Sequence, residues 1–341
     1  MSVVIAFANQ KGGVGKTTST VSLAAGLASR GVRTLVLDSD PQANATSALG
    51  VARPDDGGGL YAALVEEAPL LASVVATETP NLAIVPTSPA LAGAEVELVS
   101  VMAREFRMKR AVEPLREQFD VVLIDCPPSL GMLTVNALAA ADEVVIPVQT
   151  EYFALEGLGH LAHTIELVKR NLNPRLAIRG VLLTMYDART NLSREVELEV
   201  RQHFPNTFAT VIPRSVRLAE APSHGAPIQQ YDAASSGARA YEALADEFIT
   251  ALGDRLPARQ GSTPAVTSSP MPSQEAPSEV DQPPAELQPG VAPPPTPELQ
   301  SEPERTSGPT YGTLPPPPLA PPASPAPSSV GAISTDPEGQ Y

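Results

Sequence analysis

The sequence predicts an α/β fold: a mostly parallel sheet flanked by helices, followed by a disordered C-terminal tail. Three observations carry this expectation. Short, fully apolar runs alternate with longer segments of helical period, the pattern of strands buried on both faces. A glycine-rich loop joins the first apolar run to the first helical segment. The chemistry-bearing side chains follow the ends of the apolar runs, where open parallel sheets place their ligands.

The 341-residue chain changes character at about Leu256. Residues 257–341 hold 23 of the 38 prolines, no Phe, Cys or Lys, and nine acids against Arg259 and Arg305. Such a composition cannot bury enough apolar surface to offset the entropy of ordering, so it predicts an acidic, polyproline-leaning tail. Residues 1–256 keep all 7 Phe and almost all the basic side chains, enough chain for one sizeable core. The expected division is a folded domain over 1–256 and a tail over 257–341.

Within the folded part, Val3–Ala8 reads as a buried strand. Thr17–Ser29 has apolar residues at helical spacing and is stopped by Gly31. Thr34–Leu37 and Asn81–Pro86 read as strands, Ala90–Leu98 and Arg104–Gln118 as helices. Val121–Ile124 is a strand between Asp120 and Asp125. A helix over Gly131–Ala140 and a strand over Val144–Val148 follow. Leu155–Arg170 is an amphipathic helix and Ala177–Met185 a strand. Asn191–His203 is a helix, Thr207–Ile212 a strand, and Ser235–Leu252 a closing helix.

Composition excludes several classes. The start MSVVIAFANQ has no basic n-region and no cleavable apolar run. No stretch reaches the roughly 18 apolar residues of a membrane span. One cysteine provides neither a disulfide framework nor a self-contained Cys-ligated zinc site. These features place the expected compartment in the cytoplasm. A net charge of −15 argues against coating nucleic acid by bulk charge, while leaving room for a local basic patch.

Gly12-Gly13-Val14-Gly15-Lys16-Thr17-Thr18 lies between the first strand and the first helix, the context of a phosphate-binding loop. Glycines let backbone N–H groups curl around phosphate oxygens, and the helix points its positive end at the same anion. Lys16 adds a full charge for the β- and γ-phosphates, and the Thr17 hydroxyl is a candidate Mg²⁺ ligand. Past the second strand, Asp38 and Asp40 flank one residue on a loop closed by Pro41. Carboxylates there can hold Mg²⁺ through water and orient an attacking water, or serve as a helix cap or Asx turn. Asp125 ends an apolar strand and is a further candidate for a metal-bound water. Cys126 beside it reads as a small hydrophobe.

Lys11-Gly-Gly-Val-Gly-Lys16-Thr-Thr resembles the deviant Walker A motif of the ParA/MinD superfamily, within which this chain is most similar to the ParA/Soj partitioning ATPases. The resemblance implies a P-loop NTPase fold with ATP and Mg²⁺ as cofactors. It implies that Lys11 reaches the partner's nucleotide in an ATP-dependent homodimer. Asp38-Ser-Asp40-Pro-Gln-Ala-Asn44 is similar to the family's switch I, which makes Asp40 the water-positioning acid and Asp38 part of the metal shell. Asp125-Cys-Pro-Pro-Ser-Leu-Gly131 is similar to switch II. Glu151–Gly157, Leu183–Asn191 and Ile212–Gly225 extend the likeness to about residue 250, and by it Pro213 frames the adenine.

The same resemblance implies non-specific DNA binding, with Arg189 and Arg217 at the matching positions and Arg214 as a third. It implies a ParB-like centromere-binding partner and nucleoid association in the cytoplasm, without a membrane. The chain also departs from the pattern. Tyr231-Asp-Ala-Ala-Ser-Ser-Gly237 lacks two arginines that the family often carries, which lowers the expected DNA affinity. No arginine stands obviously at the phosphates, so unassisted hydrolysis is expected to be slow. Two other readings stay open: a MinD-like positioning ATPase, which needs a C-terminal amphipathic membrane helix, and a nucleotide-dependent scaffold without turnover.

Overall fold

The structure is a computed structural model and describes residues 2–256 except Asp55, Asp56 and Phe153. The expected tail over 257–341 lies outside the described residues. The strands are β1 (Val3–Phe7), β2 (Thr34–Asp38), β3 (Val75–Ala76), β4 (Leu82–Val85), β5 (Val121–Asp125), β6 (Glu143–Gln149) and β7 (Ala177–Thr184). The helices are α1 (Lys16–Ser29), α2 (Asn44–Ala48), α3 (Leu60–Val65), α4 (Leu91–Glu97), α5 (Arg107–Val112), α6 (Met132–Ala140), α7 (Ala154–Asn171), α8 (Asn191–His203), α9 (Val216–Glu220), α10 (Ile228–Tyr231) and α11 (Ser236–Leu252).

The strands form one sheet in the order β3-β4-β2-β5-β1-β6-β7. Every pairing is parallel except the short β3–β4 edge. Both faces are covered. On β1, Val4 and Ala6 point into a core with α3 to α8, and Val3, Ile5 and Phe7 into a core with α1, α2 and α11. That two-sided burial is why the central strands lack any polar alternation. β1 is an interior strand, between β5 and β6, so the loop leaving it opens at the sheet's carboxyl edge.

Two expected elements differ. Arg104–Gln118 is not one helix: α5 is bracketed by 3₁₀ turns at Arg104–Phe106 and Glu113–Glu117. Pro114 cannot donate a helical hydrogen bond and starts the second turn. Thr207–Ile212 is not a strand. It runs beside β7 through isolated bridges at Val181–Thr207 and Tyr186–Pro213. The N–H groups of Ala209 and Thr210 donate to the Glu247 carboxylate of α11, at 2.8 and 3.0 Å, and not to β7. β3, α2, α3, α9 and α10 were not expected, being too short to show a period.

Gly180 makes the close approach of that segment possible. A Cβ there would fall 2.3 Å from Asn206 O and 2.9 Å from the Phe208 ring. Gly180→Ala is expected to destabilise the fold by about 1–3 kcal/mol, the usual cost of overpacking. A denaturant midpoint equal to wild type would show that the segment moves aside freely.

Candidate functional site

The phosphate loop is shaped by its glycines and pinned from the side. Gly13 and Gly15 have φ of 73° and 85°, a region that a Cβ disfavours. Thr184, at the end of β7, donates its hydroxyl to Val14 O at 2.8 Å. Lys16 is buried and arches back over the loop, its Nζ donating to Lys11 O at 3.2 Å. Burial lowers the Lys16 pKa, while the facing charges of Asp125 and Asp40 oppose that shift. A cation held dry above a ring of N–H groups is a site for a strongly charged anion.

Strand register brings the two strand-end acids together: Asp38 of β2 is paired directly with Asp125 of β5. Thr17 donates its hydroxyl to Asp125 Oδ2 at 2.7 Å. Burial, reinforced by the Asp38 charge, pushes the Asp125 pKa up to about 8. Burial pushes Asp38 up to about 6, opposed by hydrogen bonds from Thr46. Asp38 Oδ2 accepts from Thr46 N and Oγ1 at 2.8 and 2.7 Å, and Oδ1 accepts from Asp40 N at 3.2 Å. Asp38 is thus fully buried and holds the 38–46 loop from behind. Burial also pushes the Cys126 thiol up, so it stays an unreactive hydrophobe.

Among the described residues no group of three or more His, Cys, Asp or Glu side chains could hold a metal by itself. The oxygen donors that do meet, the Thr17 hydroxyl with Asp125 behind it, suit Mg²⁺, which takes few protein ligands and completes its shell with phosphate oxygens and water.

A cleft of about 650 Å³ opens over the loop. Gly12, Gly13, Gly15, Lys16, Thr17 and Thr18 form its floor, and Asp40 one wall. Pro213, Arg214 and Met185 also line it. Asp40 accepts from Gln42 N at 3.0 Å through Oδ1, and Oδ2 has no hydrogen bond among the described residues. Val14, Asp38 and Asp125 stand behind the lining. Lys11 stands outside it, with Nζ 2.9 Å from Glu151 Oε2 and both side chains 44% exposed.

The three arginines carried over for DNA have different surroundings. Arg214 lines the cleft itself. Arg189 is 88% exposed, yet its guanidinium grips Asp187 at 2.9 and 2.7 Å. Arg217 is paired with Glu220 at 3.0 Å and Asp232 at 3.4 Å, over the Tyr231 ring.

Sequence reasoning missed Thr184, Met185 and Tyr241. The first two follow an apolar run, the same signal that singled out Asp38. Met185 sits at φ 52°, an unusual conformation for a side chain of its size, directly at the cleft. Tyr241 reaches the cleft from α11 and shares a 2.9 Å hydrogen bond with Ser19. No local pattern marks it.

The AAA domain family matches residues 2–178. The sporulation initiation inhibitor protein Soj of Bacillus subtilis is 54% identical over 248 residues, covering 72% of this chain and 98% of that protein. The chromosome partitioning protein ParA of Myxococcus xanthus is 50% identical over 258 residues, covering 75% and 91%. The chain belongs to the ParA/Soj family of partitioning ATPases. It is an ATPase with ATP and Mg²⁺ as cofactors. Cobyrinic acid a,c-diamide synthase from Mycobacterium smegmatis, solved with ADP and magnesium, is 38% identical with a TM-score of 0.65, covering 76% of this chain and 100% of that one. The septum site-determining protein MinD of Pyrococcus horikoshii, solved with Mg-ADP, is 25% identical with a TM-score of 0.63 over 76% and 100%.

Within the ParA/Soj pattern, this chain uses its divergent Tyr231–Gly237 stretch for a helix cap. Ser235 Oγ accepts from Ala238 N at 3.1 Å and starts α11. Among the described residues no helix is long and apolar enough to cross a membrane.

Proposed function

We propose that this ATPase is a switch for segregating DNA. ATP closes a homodimer, the dimer holds DNA without sequence preference, and a ParB-like partner stimulates hydrolysis and release. The observation that carries the reading is the division of labour between two lysines. Lys16 lies over the chain's own phosphate loop, while Lys11 stands outside the cleft with its charge directed to Glu151. A lysine so placed is available to the nucleotide of a second copy.

In the proposed cycle Thr17, with Asp125 behind it, holds Mg²⁺, which would neutralise charge developing on the phosphates. Asp40 orients the attacking water through its free oxygen. Asp38 keeps the Asp40 loop in place through Thr46. Pro213 and Met185 frame the base, and Arg214 adds a charge to the same wall. Hydrolysis without a partner is slow because Lys11, the further charge the phosphates need, comes from the second copy. The site of action is the cytoplasm, on the nucleoid.

The test is phosphate release from Mg-ATP, with and without random-sequence DNA and a ParB-like protein, alongside sizing of the dimer. Stimulation by both together supports the reading. ATP-dependent dimerisation without any turnover would favour a scaffold. For DNA, ATP is expected to strengthen binding by joining two weak half-sites in one body. Arg189→Glu or Arg217→Glu is expected to remove that ATP-dependent gain while dimerisation persists. An unchanged gain in both variants would place the contact elsewhere.

A further inference from the structure

The segment that follows β5 runs past the cleft on its way to α6. Asp125 ends β5 and accepts from the Thr17 hydroxyl. Pro128 lines the cleft, and a Cβ on Gly12 would lie 3.8 Å from the Pro128 Cβ. Pro127 and Pro128 have no N–H to donate. Among the described residues, the N–H groups of Ser129, Leu130, Gly131 and Met132 have no acceptor either. The segment thus has little backbone anchoring of its own, and its place is set by what holds the start of α6. One hold is internal: Thr134 donates its hydroxyl to Ser129 O at 2.6 Å. The other comes from Glu95 of α4.

Glu95 is partly buried, and among the described residues it has no ion-pair partner. Its Oε1 accepts from Leu133 N, in the first turn of α6, at 3.5 Å. That is long for a hydrogen bond, but a second observation places the same oxygen. A Cβ on Gly131 would fall 2.2 Å from Glu95 Oε1 and 3.2 Å from its Cδ. Gly131 has φ −77° and ψ −169°, a conformation open to any residue. The glycine is therefore required by the carboxylate lying over it and not by its backbone. Gly131 is also the N-cap of α6 and provides no side-chain cap. Glu95 supplies the missing acceptor from another helix, and its charge suits the positive end of α6. α4 does not need Glu95 for its own place, since Leu91 and Ala94 seat it in the core.

We propose that Glu95 is a positioning residue for ATP hydrolysis, holding the Asp125–Gly131 segment against the phosphate loop through the first turn of α6. The inference rests on the proposed reading of Thr17 and Asp125 as the Mg²⁺ side of the site. Glu95 is not among the residues that line the cleft, so it acts through the segment and not on the nucleotide. ATP binding stays with the phosphate loop and Lys16, and the geometry of turnover depends on the tie. A misplacement of about 1 Å in a reacting constellation can cost on the order of 10²-fold in rate. A contact that adds little stability can therefore still govern turnover.

The experiment is steady-state phosphate release from Mg-ATP by the full-length protein, with calorimetric ATP affinity and a thermal midpoint for each variant. Glu95→Ala is expected to lower kcat about tenfold while ATP affinity stays within about twofold of wild type. Glu95→Gln keeps an acceptor for Leu133 N and should recover most of the turnover. Gly131→Ala should push the carboxylate aside and lower kcat as Glu95→Ala does, and the double alanine variant should fall no further. Glu95→Ala with Gly131→Ser separates positioning from capping. The serine caps α6 locally, so the midpoint lost in Glu95→Ala, about 2–4 °C, should return while kcat stays low. Return of kcat together with the midpoint would reduce Glu95 to a helix cap and overturn the proposal. Wild-type kcat in Glu95→Ala, additive losses in the double alanine variant, or loss of ATP binding along with turnover would overturn it too. Asp40→Ala, run alongside, reads the proposed cycle by itself. Turnover lost there and kept in Glu95→Ala would sink the tie and leave the cycle standing; the reverse would support the tie and remove Asp40 from the cycle.

Discussion

Lys16→Ala is expected to abolish ATP binding at any practical concentration. Lys16 is buried, and its Nζ spans the loop to Lys11 O at 3.2 Å, where an incoming phosphate is expected to replace the carbonyl as its acceptor. Removing one or two charge-assisted hydrogen bonds in such surroundings costs about 3 kcal/mol or more, at least roughly 100-fold in affinity. Calorimetric titration with Mg-ATP reads this directly, with a thermal midpoint in the absence of nucleotide as the check on folding. An alanine variant that folds and binds ATP as wild type does would remove Lys16 from the phosphate site.

Asp40→Ala is expected to separate binding from turnover. The variant should bind ATP and dimerise, and lose about 10²–10⁴-fold in hydrolysis, the usual contribution of a positioned acid–base group. The structure also gives Asp40 a structural task, since Oδ1 accepts from Gln42 N at 3.0 Å and shapes the loop turn. Asp40→Asn keeps that acceptor and removes the charge. If the charge on the free oxygen matters, Asn and Ala lose turnover alike. Turnover retained in Asn and lost in Ala would reduce Asp40 to the turn. Loss of ATP binding in both would move it into the metal site.

The arginines show where a carried-over role meets a local environment. By sequence, Arg189 and Arg217 stand at the positions matched to phosphate contact, with Arg214 a weaker candidate. In the fold, Arg189 is bound to Asp187 two residues away and Arg217 to Glu220 and Asp232, while Arg214 lines the nucleotide cleft. Exposed pairs of this kind are worth little and exchange readily with solvent or another anion. They set a modest threshold for DNA contact and do not forbid it.

The sequence by itself determined the parallel α/β sheet, the phosphate loop between β1 and α1, and the acids at the ends of β2 and β5. These are local signals. A strand buried on both faces shows as an unbroken apolar run, a turn with positive φ requires glycine, and a side chain that meets a ligand at the sheet edge must follow a strand directly. Only the tertiary structure decided which strands are neighbours, and so that Asp38 and Asp125 sit side by side with raised pKa values. It alone turned Thr207–Ile212 from a strand into a bridged segment, because the competing acceptor, Glu247, lies 37 residues or more along the chain on another element. It alone brought Thr184 onto the loop and Tyr241 into the cleft. Each of these depends on crossover connections that juxtapose residues distant in sequence, and a pairing of that kind leaves no trace in local composition or period.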